Sequence, residues 1–277
     1  MPVGLFFPVV PLGNSQVQSV AFLRVFDLIV PLWILLRGVH RLWEGRTAVV
    51  VTSAIPIALL VMIWVFTVRM PGQSYEGPVA PLSAAEAELA ERLRAHVVTL
   101  SDSIGIRGWR QPEAVAQTVA YLMDELRDMG YSPSELPFEV SGRTELNLEV
   151  TLHGTSRAAE VVVVGAHYDT YDLTPGADDN GSGVAGVLEL ARQMVNSQPE
   201  RTVRFVFFAT EEPPYFNTVN MGSRAYAIQA VDAGEDIFVM LSLETIGYFV
   251  DEPGSQHYPP PLSLFYPDRG DFIANRG

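Results

Sequence analysis

Four groups of acidic or imidazole side chains stand where apolar runs end, and their types suit divalent-metal chemistry. His167 and Asp169 lie in Gly-Ala-His-Tyr-Asp at 165–169, after the apolar run 160–166. Asp178 and Asp179 lie in Pro-Gly-Ala-Asp-Asp-Asn-Gly-Ser-Gly at 175–183, which reads as a helix start. Glu211 and Glu212 follow the run 203–209, and Glu244 closes the run 237–243. Open α/β sheets bind ligands beyond the carboxyl ends of their strands, so these groups are expected to converge in space. Imidazole and carboxylate donors suit hard or borderline ions, zinc above all. Taken singly, each group has a plainer role. A His at a strand end is usually a satisfied polar residue, an Asp pair caps a helix, and a Glu pair before prolines marks a solvated turn. The ordered set carries the chemistry.

The elements needed to position these groups are legible in the apolar pattern. Ser83-Ala-Ala-Glu86 resembles a capping box opening a helix to about Val98. Residues 112–129 read as a second helix, with Pro112 in its first turn, Gly130 beyond its end, and Val115, Val119, Leu122, Met123 and Leu126 on one face. Runs 136–140 and 145–152 alternate as half-buried strands and predict an antiparallel start to the sheet. Run 161–165 reads as a strand covered on both faces. Helix 182–195, strand 203–209, helix 222–231 and buried strand 237–243 follow. This alternation predicts an α/β fold with a doubly wound, mostly parallel sheet flanked by helices.

Bulk composition narrows the function classes. The chain has 277 residues, a net charge of −14 and no cysteine. The acidity argues against nucleic acid, because phosphate binding needs a basic surface. Without thiolates, a zinc site requires nitrogen and oxygen ligands. Residues 47–68 form an uncharged stretch between Arg46 and Arg69, long enough to cross a roughly 30 Å hydrocarbon core as a helix. Arg37, Arg41 and Arg46 precede it, so the positive-inside rule predicts a single-pass membrane protein whose main domain is extracytoplasmic. The expected organisation is a cytoplasmic or membrane-proximal segment 1–46, a transmembrane helix 47–68, a Pro/Gly-rich linker 70–82 and the main domain 83–277.

His-Tyr-Asp, the Pro-Gly-Ala-Asp-Asp-Asn-Gly-Ser-Gly run, the Glu211-Glu212 pair, Met-Gly-Ser-Arg-Ala-Tyr-Ala at 221–227 and Leu-Ser-Leu-Glu at 241–244 together resemble the M28 family of zinc-dependent exopeptidases, the aminopeptidase group. That resemblance implies a zinc-exopeptidase-type fold, a peptide substrate and two Zn2+ ions. It implies His167 and Glu244 on one ion, Glu212 on the other, and Asp179 bridging both. Asp169 matches the residue that hydrogen-bonds the liganding His. Glu211 matches the general base that moves a proton from the attacking water to the leaving amine. Glu244 departs from the family, whose better-known aminopeptidases carry Asp there. The family's fifth ligand is a late His on a loop after further strands, and the histidines outside the motif are His40, His96, His153 and His257. The expectation is therefore a C-terminally truncated copy with one ligand absent and an impaired site. Two other readings stay open: a glutaminyl-cyclase-like enzyme with a single zinc, and a non-catalytic domain of the same fold.

Overall fold

The computed structural model describes residues 54–59, 61–62, 80–258, 262–264, 266 and 268–273. The chain divides into two compact units, Met1–Gly77 and Pro78–Gly277. In the first, residues 54–59 and 61–62 are helical. The rest of the expected span 47–68 lies outside the described residues. Among the described residues no helix is long and apolar enough to cross a membrane.

The second unit opens with helix α1 (Ala84–Val98), started by the capping box its sequence announces: Ser83 N–H donates to Glu86 Oε2 at 2.7 Å, and Glu86 N–H to Ser83 Oγ at 3.3 Å. A π-helical turn (Thr99–Ile104) follows, then α2 (Pro112–Asp128) with proline in its first turn. Leu122, Met123 and Leu126 of α2 are buried on the face that their spacing predicts. The remaining elements are β1 (Ser134–Val140), β2 (Arg143–Leu152), β3 (Arg157–His167), α3 (Gly183–Met194), β4 (Arg201–Phe208), α4 (Gly222–Asp232) and β5 (Asp236–Ser242).

The strands form one sheet in the order β1-β2-β4-β3-β5. Parallel pairing joins β4 to β3 and β3 to β5, while β1–β2 and β2–β4 are antiparallel. The sheet is therefore mixed, which corrects the expectation of a mostly parallel one. Loop length explains it. β1 and β2 are joined by Ser141-Gly142 alone, with φ of 50° and 80°, the positive values of a tight hairpin turn. The stretch 153–156 before β3 holds no crossover helix, so β2 runs opposite to β3 and to everything parallel with it. Beyond β3 the winding is as expected: α3 carries the chain to β4 on one side, and α4 returns it to β5 on the other.

Helices cover both faces of the central strands. Leu100, Leu122, Leu126, Val184, Val187 and Leu188 pack on Leu148, Val150, Val164, Ala166, Phe205 and Phe207 on one side. Tyr226 of α4 meets Val161, Val163, Val206 and Phe208 on the other. This double cover is why β3 and β4 carry the apolar stretches 161–166 and 205–209. β5 forms where expected but is not buried: Phe238, Val239, Met240 and Leu241 are all exposed. It pairs with β3 on one side only and stands at the sheet edge.

Candidate metal centre

Because the chain reverses its winding direction at β3, the carboxyl ends of β3, β4 and β5 adjoin one another, and the loops beyond them share one location. His167 is the last residue of β3 and is buried. Its Nδ1 lies 3.1 Å from the Asp169 carbonyl oxygen. A carbonyl can only accept, so Nδ1 is the donor, and Nε2 offers a lone pair whenever the ring is neutral. That nitrogen faces carboxylates from three separate segments: Asp179 Oδ1 at 3.2 Å, Glu244 Oε1 at 3.4 Å and Glu211 Oε2 at 3.8 Å. Potential ligand atoms lie within 4.8 Å of one another in two sets that share the imidazole: His167 with Glu211 and Glu212, and His167 with Asp179 and Glu244.

The surrounding backbone is tied down by side chains. Asp169 has two roles. Its Oδ1 lies 3.4 Å from His167 Nδ1, and its two oxygens also accept the backbone N–H groups of Glu211 and Glu212, each at 3.0 Å. One carboxylate thus fixes both the imidazole and the turn carrying the Glu pair. In the Asp pair the roles divide. Asp178 Oδ1 accepts from Gly247 N at 2.8 Å and Ser182 Oγ at 3.1 Å, which leaves Asp179 to face the imidazole. Asn180, fully buried, donates through Nδ2 to Leu243 O at 2.8 Å and Glu244 Oε2 at 3.2 Å. Its Oδ1 accepts from Gly183 N at 3.1 Å and Thr245 N at 3.3 Å.

Electrostatics show what the cluster needs. Burial pushes Glu211 up to about 7, His167 opposing and Asp169, Glu244 and Glu212 adding to the rise. Burial likewise pushes Glu212 up to about 7, with Asp179 the next contributor. For His167, burial disfavours the imidazolium, but hydrogen bonds to Asp169, Asp179 and Glu244 outweigh it and hold the ring well above its ordinary value. The hydrogen bond from His167 keeps Asp179 below the usual carboxylate range against its burial. Five carboxylates thus surround one imidazole, and two of them retain protons close to neutrality. A multivalent cation relieves that repulsion directly, and the donor set of imidazole nitrogen and carboxylate oxygen fits zinc.

Of the residues expected from sequence, His167, Asp169, Asp179, Glu211, Glu212 and Glu244 are all brought together. The other described histidines are not. His96 is buried against Tyr121 and Glu189, and His153 and His257 are exposed and belong to neither set. Sequence reasoning missed Asn180 and also Asn147, whose Nδ2 donates to Gly222 O at 2.8 Å and whose Oδ1 accepts from Ala209 N at 3.0 Å. That pair of bonds holds the end of β4 against the start of α4. Asn147 falls in the polar phase of the alternating strand with Glu145 and Glu149, so the pattern carried no signal for it.

Residues 147–263, which contain all six of these side chains, match the model of Peptidase family M28. The chain is 49% identical over 123 residues to "Uncharacterized protein YfbL" of Escherichia coli (strain K12), covering 41% of this chain and 37% of that protein. It is 42% identical over 112 residues to "Probable lipoprotein aminopeptidase LpqL" of Mycobacterium tuberculosis (strain ATCC 25618 / H37Rv), covering 38% of this chain and 21% of that one. In both cases the match spans well under half of the relative's own length. Among solved structures, the fold is similar to that of BSAP, a zinc aminopeptidase from Bacillus subtilis, with a TM-score of 0.52 at 14% identity, covering 60% of this chain and 71% of that one.

Proposed function

We propose that this chain is a zinc-dependent metallo-exopeptidase acting at the amino terminus of peptides, with a co-catalytic two-ion site. The observation that carries the reading is one buried imidazole nitrogen facing Asp179, Glu244 and Glu211 at 3.2, 3.4 and 3.8 Å. His167 and Glu244 would hold one ion, Glu212 the other, and Asp179 would reach both. Held there, zinc supplies Lewis acidity to a carbonyl oxygen and makes a water nucleophilic at neutral pH. Asp169 orients the imidazole and the Glu211-Glu212 turn together. Glu211, 3.8 Å from the imidazole Nε2 and outside the ligand set proposed above, would take a proton from the attacking water and return it to the leaving amine. The carboxylate-rich surroundings suit a substrate that presents an ammonium group, which favours a free amino terminus over a free carboxylate. The aminopeptidase name of the mycobacterial relative supports the same direction.

The uncharged stretch 47–68 and the arginines before it support single-pass anchoring, with the peptidase domain outside the cytoplasm. The deciding experiment is zinc content per chain after equilibrium dialysis, alongside hydrolysis of aminoacyl-nitroanilides. Two ions with turnover would carry the two-ion reading against the expectation of an impaired site. One ion with cyclisation of amino-terminal glutamine would replace the reading by a glutaminyl-cyclase-like enzyme. Neither metal nor turnover would leave a non-catalytic domain.

A further inference from the structure

Between the end of β3 and the turn carrying Asp179 lies a fully buried cation. Arg107 is 0% exposed, and its guanidinium makes no carboxylate ion pair among the described residues. It donates to carbonyl oxygens instead: from Nε to Tyr168 at 2.9 Å, from Nη1 to Leu100 at 2.7 Å, Gly105 at 2.9 Å and Pro175 at 2.8 Å, and from Nη2 to Gly176 at 3.2 Å. Its own backbone N–H donates to Thr170 Oγ1 at 2.9 Å. Burial lowers its pKa to about 10, with Asp169 opposing, so it remains charged at neutral pH. A buried charge is costly unless its donors are met, and here carbonyl dipoles meet them.

Where those carbonyls lie is informative. Tyr168 sits between His167 and Asp169. Pro175 and Gly176 lead directly into Ala177-Asp178-Asp179. The Gly176 carbonyl also accepts the Gly181 N–H at 3.0 Å, which closes the turn holding Asp179. Gly176 has a φ of 60°, and a Cβ there would fall 2.4 Å from both Asp179 O and Thr170 Cγ2, so this turn has little room to move. One guanidinium therefore bridges the backbone of two ligand-bearing segments that meet at 3.2 Å, His167 Nε2 to Asp179 Oδ1. Lysine, with one nitrogen, cannot span acceptors on both sides of that gap.

We propose that Arg107 is a positioning residue for the metal centre, fixing the separation between the His167 and Asp179 ligands through the backbone of both segments. The proposal deepens the metallopeptidase reading and rests on it. The test measures zinc affinity by competition with a chromophoric chelator, and the rise in Tm on zinc addition, for the unmodified chain, Arg107→Lys, Thr170→Val and Leu126→Ala. Loss of groups that orient ligands typically weakens a metal site about 10–100-fold. That loss is expected for Arg107→Lys, with a smaller one for Thr170→Val, which keeps the guanidinium but removes the anchor of its backbone. Leu126, fully buried in α2, controls for general destabilisation: Leu126→Ala should lower Tm while leaving zinc affinity within about twofold. Unaltered zinc affinity in Arg107→Lys overturns the proposal. Should Arg107→Lys fail to fold, unaltered affinity in Thr170→Val overturns it instead. An unmodified chain that gains no stability from zinc overturns the metal reading and this role with it.

Discussion

Glu211 and Glu212 are adjacent in sequence, yet their expected duties differ. Glu211 is the proposed proton carrier, so Glu211→Gln should retain zinc while kcat falls ~10²–10⁴-fold, the usual contribution of general acid–base catalysis. Near-normal turnover on aminoacyl-nitroanilides would remove it from the mechanism. The same residue gives a signature in the metal-free protein. The folded-state pKa of Glu211 is raised to about 7 from an ordinary 4.5, and that of Glu212 likewise. Between those values the folded state holds protons that the unfolded chain has released, so stability falls as pH rises through that window. His167, held well above 6.5, acts in the same direction, because its contribution is present at low pH and lost as pH climbs through the folded value. Metal-free protein should therefore melt at a lower temperature at pH 8 than at pH 5.5. Glu211→Gln, which has no charge to bury, should be the more stable of the two at pH 8, and the gap should close toward pH 5. A flat melting profile between these pH values would contradict that account.

At the scale of elements, the centre depends on three segments being locked to one another, and Asn180 is the lock between two of them. It connects the turn before α3 to the end of β5 through bonds to Gly183, Leu243, Glu244 and Thr245. Asn180→Ala leaves these partners unmet. Each unsatisfied buried group costs ~1–3 kcal/mol, so a loss of that order or more is expected in urea unfolding, together with weaker zinc binding as Glu244 is released. An unfolding midpoint unchanged from the unmodified chain would show that β5 is held by its pairing with β3 alone. Asn147 plays the corresponding part between β4 and α4.

For the whole molecule, charge is unevenly distributed. Residues 1–69 carry five Arg against Asp27 and Glu44, while the rest of the chain is strongly acidic. Reporter fusions made after residue 80 should be active when the reporter works only after export, and silent when it works only in the cytoplasm. The reverse pattern would invert the topology. The acidic unit Pro78–Gly277 also exposes apolar side chains along β5, at the sheet edge. Edge strands of this kind are templates for pairing with other chains.

The sequence alone determined most of the elements and picked out the six side chains that the structure brings together, because strand-end position and residue type are local properties. Helix α1 was written in the Ser83–Glu86 box, α2 in Pro112 and its apolar face, and β3 and β4 in apolar runs. Three things were decided only by the tertiary structure. The antiparallel start β1–β2 was legible in two alternating runs, but that β2 pairs antiparallel with β4 was not, because pairing partners are not encoded in a strand's own pattern. β5 has the composition of a buried strand yet is exposed, since burial depends on what flanks it rather than on its residues. Arg107, Asn147 and Asn180 look like ordinary polar residues in the chain, and their importance appears only when distant carbonyls and amides converge on them.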